Sequence, residues 1–151
     1  MPQDVRLAPD GRWFMVADMM RNGVWFINVT TFAVHHFVPT GKGAHGIYPS
    51  RDAKRIFVTN RDEGTITVFD ALTDTVLTKW RLPGHATPDM GGVTADGSQL
   101  WLSGRYSSAV YVVDTTSGRL IREFRTDAGP HGLLVWPQPG RFSLGHTGNT
   151  R

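Results

Sequence analysis

Residues 56–77 read IFVTNRDEGTITVFDALTDTVL, two runs rich in β-branched and aromatic residues on either side of the turn-forming stretch from Asn60 to Gly64. Such runs suit strands, and the polar, glycine-ended break between them suits a hairpin. The stretch recurs. FMVAD starts at Phe14, IFVTN at Ile56, LWLSG at Leu100 and FSLGH at Phe142, steps of 42, 44 and 42 residues. A second column reads VWFIN from Val24, ITVFD from Ile66 and VYVVD from Val110. A third holds the turns Asp10-Gly11, Asp52-Ala53, Asp96-Gly97 and Gln138-Pro139-Gly140. Three columns in one register define an internal repeat.

The repeats run over residues 3–44, 45–88 and 89–130, with a half repeat at 131–151; the later ones open at His45-Gly46, Asp89-Met90 and His131-Gly132. In the second, strands A to D are expected at Gly46 to Pro49, Arg55 to Thr59, Thr65 to Asp70 and Val76 to Arg81. No segment sustains helical periodicity. A period near forty residues made of four short strands is the pattern of radially arranged blades. The expected fold is all-β, a partial β-propeller of about three and a half four-stranded antiparallel blades with strand A innermost. Blades bury their faces against one another, so open ends expose apolar surface. The missing blades are expected from a parent chain, or from another subunit.

Composition is that of an ordinary globular β protein: 151 residues, 40% hydrophobic, with 17 Gly and 9 Pro placed largely between the apolar runs. No run approaches the length of a membrane span, and MPQDVRLAPDGR has no apolar core of a signal peptide. The absence of cysteine removes disulfides and thiolate metal sites. A net charge of +3, with scattered basic residues, tolerates an acidic partner without requiring one.

The second repeat, preceded by GAHGIYPSRD, resembles the YVTN-type β-propeller repeat family, with its His-Gly opening, Tyr-Val-Thr-Asn strand and Val-Ile-Asp strand. The third repeat and the ending GPHGLLVWPQPGRFSLGHTGN are similar to the last blades of a bacterial, usually exported subgroup. The resemblance implies the C-terminal half of a seven-bladed propeller and an extracytoplasmic location, periplasmic or secreted. It speaks for fold rather than for function, because such scaffolds serve many tasks.

Strand alternation places the D-to-A loops (Gly41 to His45, Pro83 to Asp89, Gly129 to His131) on one face with the B-to-C loops that begin at Asp18, Asn60, Gly104 and His146. The Asp-Gly turns lie on the other. The first face, at the mouth of a central channel, carries Asp18, His45, His85, Asp89, His131 and His146, with Met19 and Met90 nearby. Imidazoles and carboxylates converging from several blades suit a divalent metal or a haem. They are equally residues of the repeat's own signature, capping backbone at the start of strand A. The signature favours the second reading, so no metal or other cofactor is expected; Asp18, His45, Asp89 and His131 are the ligands if one binds. Arg61, Arg105, Tyr106 and Asn149 project from B-to-C loops, where guanidinium groups either fork onto an anion or pair with Asp62 or Asp18.

Other chemistries have little support. Gly41-Lys42-Gly43-Ala44-His45-Gly46 matches G-x-G-x-x-G, but a strand follows where a dinucleotide site needs a helix. The tryptophans 13, 25, 80, 101 and 136 are not interleaved with basic residues, which disfavours nucleic acid; Trp25 and Trp101 are expected to pack between blades. No nucleophile elbow is present. The reading is a non-catalytic binding or scaffold module with a protein or small anionic ligand at His45, Arg61, Asp89, Arg105, Tyr106, His131, His146 and Asn149. The alternatives are a lactonase-like metal-dependent hydrolase and a redox propeller holding haem or copper through histidines.

Overall fold

The structure, a computed structural model, describes residues 1–136. It is all-β over those residues. The first sheet comprises β1 (Pro2–Leu7), β2 (Trp13–Asp18), β3 (Gly23–Asn28) and β4 (Val34–Pro39). The second comprises β5 (Ala44–Pro49), β6 (Arg55–Asn60), β7 (Thr65–Asp70) and β8 (Val76–Arg81). The third comprises β9 (Pro88–Val93), β10 (Gln99–Gly104), β11 (Ala109–Asp114) and β12 (Leu120–Arg125). Each sheet is an antiparallel meander in chain order, giving three blades of a propeller. The expected half blade from Phe142 lies outside the described residues.

The blades are held together by cores lying between them. Met15, Ala17, Val24 and Phe26 of the first blade pack on Ile47, Ile56, Val58 and Phe69 of the second. Tyr48, Phe57, Ile66 and Val68 on the opposite side of the second pack on Leu100, Leu102, Tyr111 and Val113 of the third. The middle blade is therefore buried on both faces. That is why β7, TITVFD, is buried without a break from Thr65 to Phe69, both of its faces covered, while the D strands β4 and β8 stay partly to largely exposed at the rim.

The tryptophans correct one expectation. Trp25 and Trp101 pack within their own blades, Trp25 tilted against Phe37 and Trp101 stacked on Phe124 of the outer strands, at centroid distances of 4.6 and 5.8 Å. Trp80 does serve between blades: its indole occupies the space that a Cβ on Gly118 would need.

Candidate functional site

Strands β5 and β9 each begin one residue longer than their partners require. Ala44 pairs with Asn60 and Ile47 with Val58, so two residues face one across the ladder. Pro88 pairs with Gly104 and Gly91 with Leu102 in the same way. This irregularity also lengthens β5 by two residues beyond its expected start. A bulge of this kind bends the strand and re-aims a side chain. The displaced pairs are His45-Gly46 and Asp89-Met90, the first residues of two repeats, and the bulges turn His45 and Asp89 toward each other. Gly46 has no alternative here, since a Cβ would lie 2.2 Å from the Tyr48 hydroxyl.

Asp89 is fully buried and His45 nearly so. Around the Asp89 carboxylate stand His45 Nδ1 at 2.9 Å from Oδ1, Arg61 Nη1 at 3.9 Å from Oδ1, and His131 Nε2 at 4.0 Å from Oδ2. The 2.9 Å approach is an ion-pair contact rather than a hydrogen bond. Neither Asp89 oxygen nor His45 Nδ1 has a hydrogen-bond partner among the described residues. A buried carboxylate in that state is costly and stands out in a folded protein.

Arg61 is withdrawn into the fold. Its Nε donates to Asp62 at 3.3 Å, its Nη2 to Met19 Sδ at 2.8 Å, and its guanidinium lies 5.0 Å from the Tyr106 ring centroid. Pairing with Asp62 is one of the two sequence alternatives. Asp18 instead accepts hydrogen bonds from the N-terminal amine and Trp25 Nε1, and does not join the carboxylate–imidazole cluster. The amine holds its carboxyl down at about 2. Arg105 and Tyr106 are exposed on the same face, and Arg105 contacts the Tyr106 ring at 5.6 Å. His85 is exposed and Met90 is in the core. His146 and Asn149 lie outside the described residues.

Several residues beneath this face were not anticipated. Asp4 and Arg6 on β1 are buried and paired, Arg6 Nη2 lying 3.2 Å from Asp4 Oδ1. Asp4 Oδ2 accepts from the Ile47 amide at 2.9 Å, and Arg6 Nε donates to the Ile47 carbonyl at 3.2 Å. The two side chains thus act as an extra peptide unit across the blade boundary. Burial raises the Asp4 carboxyl above its ordinary range even though Arg6 and the Ile47 amide oppose this. One blade on, Tyr48 repeats the device, its hydroxyl accepting from the Gly91 amide at 2.8 Å; burial pushes its phenol up. Thr59, the threonine of the IFVTN strand, accepts from the Gly46 amide at 2.8 Å and donates to the Asp89 carbonyl at 2.9 Å. The signal was present in that column, where Ser103 takes the Met90 amide in the same way.

The opposite face is built differently. Asp96 accepts from Thr94 Oγ1, Ser98 N and Ser98 Oγ; Asp70 accepts from the amides of Leu72 and Thr73; Asp114 accepts from those of Thr116 and Ser117. Thr94 and Ser98 hold the Asp96 carboxyl down at about 2, and backbone amides lower Asp70 and Asp114. These carboxylates close their own turns. A hollow of about 620 Å³ against Trp101, Val110, Phe124 and residues 133–136 is largely apolar, holds no titratable side chain and lies apart from Asp89.

The chain belongs to the YNCE-like beta-propeller family, whose sequence description matches residues 2–140. Its structure is similar to hydrazine synthase from Kuenenia stuttgartiensis, with a TM-score of 0.72 and 20% identity, covering 85% of this chain and 37% of that one. It is also similar to the Cps50 (Swd1) beta-propeller domain of Myceliophteria thermophila, with a TM-score of 0.73, 13% identity, and 91% and 47% coverage. Virginiamycin B lyase from Staphylococcus aureus gives a TM-score of 0.67 and 19% identity over 84% of this chain and 42% of that one. At these identities the likeness establishes the fold alone. The chain spans less than half the length of each of these three structures. No curated protein matches its sequence.

Proposed function

We propose that the protein is a non-catalytic binding module that receives a small anionic ligand on the face carrying the D-to-A and B-to-C loops. The observation that supports this reading is the unequal use of charge on the two faces. On the proposed face Arg105 is exposed with no ion pair or hydrogen bond among the described residues beyond its contact with Tyr106, and Arg61, His45 and His131 surround Asp89. Cationic groups around a concave mouth raise the local anion concentration and orient a carboxylate or phosphate. On the far face, Asp52, Asp70, Asp96 and Asp114 are engaged by their own turns. The exported location implied by the YVTN resemblance belongs to the same proposal.

A thermal-shift series with inorganic phosphate, sulfate and short dicarboxylates tests it, followed by titration of the best probe. Arg105→Ala is expected to weaken binding about tenfold and to flatten its salt dependence, while Asp96→Asn leaves both unchanged. Equal effects of the two changes, or an affinity indifferent to salt, would sink the assignment to this face.

A further inference from the structure

We propose that His45, Asp89 and His131 form a binding site for a divalent first-row transition cation of the zinc class. The site goes beyond the anion reading and stands without it. One ligand atom from each residue lies within 4.8 Å of the others. Two of the three are set by the bulges of β5 and β9, and the third comes from the segment that follows β12.

The second observation is independent of proximity. Both Asp89 oxygens and His45 Nδ1 are buried and make no hydrogen bond among the described residues, although Nδ1 stands only 2.9 Å from Oδ1, so polar atoms crowd one another in a desolvated place. The sequence reading expected no metal because a His-Gly histidine would cap backbone. His45 Nδ1 caps nothing. A cation between these atoms would supply the missing partner and turn their mutual crowding into coordination.

The donor set selects the class of ion. Two imidazoles and one carboxylate suit zinc and its neighbours, whereas magnesium and calcium call for all-oxygen shells. Bonds of about 2.0–2.2 Å put neighbouring ligands roughly 3.3 Å apart around a tetrahedral ion. His45 lies 2.9 Å from Asp89 Oδ1 and His131 4.0 Å from Oδ2, and the three ligand atoms lie within 4.8 Å, so binding calls for a modest contraction, mainly at His131, whose side chain is 41% exposed. Arg61, 3.9 Å from Asp89, opposes a cation but is held aside by Asp62, Met19 and Tyr106. Three protein ligands leave a coordination position open to solvent, the arrangement that admits water or an anion.

The untagged full chain, stripped with chelator, would be titrated with Zn²⁺ by calorimetry and with Co²⁺ by visible absorption. One cation per chain is expected, with the intense bands of a low-coordinate cobalt site. Asp89→Asn and His131→Ala should each weaken binding at least about tenfold, while His36→Ala and His85→Ala leave it intact. His131 is exposed, so its variant keeps the test valid should Asp89→Asn fold poorly. Absence of stoichiometric binding, or binding that survives His131→Ala and disappears in His36→Ala or His85→Ala, overturns the site. Anion binding by metal-free protein and its Arg105→Ala variant is read separately, so either proposal can fail alone.

Discussion

The two faces of this three-blade array use aspartate in opposite ways. On the turn face Asp70, Asp96 and Asp114 each collect hydrogen bonds from residues two or three positions ahead, and their carboxyls titrate below the ordinary range. On the channel face Asp89 is fully buried, 44 residues from His45 along the chain and facing it across a blade boundary, with no hydrogen bond to either oxygen among the described residues. A turn aspartate is complete once its own loop has formed. Asp89 is defined by assembly, because everything that faces it comes from another strand or loop. Local satisfaction marks structure, and its absence in a buried group marks a candidate site.

The contrast can be broken by changing comparable residues on the two faces. The largest effect is expected at Gly91, where a Cβ would lie 1.7 Å from the Trp101 carbonyl oxygen. Gly91→Ala must displace backbone and is expected to cost about 3 kcal/mol in urea unfolding. Gly97→Ala on the turn face meets no atom closer than 3.4 Å and suffers only from its φ of +77°, a cost of about 1 kcal/mol. Similar losses from the two changes would contradict the close approach of β9 to β10 within the third blade.

Thr59→Val comes next. It keeps the shape but removes a fully buried hydroxyl, leaving the Gly46 amide and Asp89 carbonyl without that partner. A loss of about 2 kcal/mol is expected, with increased mobility at His45 visible in amide exchange. Ser98→Ala on the turn face should cost well under half as much.

Acid should act through the lowered carboxyls of both faces, Asp96 on the turn face and Asp18 on the other. A carboxyl lowered on folding contributes stability above its unfolded pKa, near 4, and that contribution is lost as pH falls toward the folded value. For Asp96 and Asp18 the window is therefore pH 4 down to about 2. Asp4, raised by burial, works with the opposite sign and favours the fold at the acid side of its range. The urea midpoint is expected to fall through that window, and less steeply in Asp96→Asn. An unchanged slope in the variant would remove Asp96 from the explanation.

The smallest expected effect is a gain. Ala53 stands where the other two described turns have glycine, and its φ is +60° against +75° at Gly11 and +77° at Gly97. Ala53→Gly relieves the left-handed strain at some entropic cost, for a net stabilisation of about 0.5 kcal/mol. A loss of stability would show that the turn tolerates alanine without strain.

Much of the fold was legible because blades are local and repeated. A hairpin needs only neighbours in sequence, and the columns at Phe14, Ile56 and Leu100 report the same meander three times. The C and D strands of the second blade fall at their expected bounds, while strand A begins earlier because a bulge has no signature in a period-two pattern. The candidate site was half legible. His45, Asp89 and His131 stand out as residues opening repeats, but Asp18 was grouped with them on loop position alone. Asp4 and Arg6 escaped notice because charges normally point outward from a strand. On β1 they are buried, while Val5 and Leu7 between and beyond them are each 53% exposed.

Hydrophobic periodicity and turn chemistry act over a few residues, and they set the strand order within each blade, the turns and the faces to which the loops belong. Which charges meet is settled only when the blades assemble. Asp89, His45 and Arg61 are brought together by bulges and blade packing that no local pattern encodes, and burial between blades leaves the Asp89 carboxylate with no hydrogen-bond donor among the described residues.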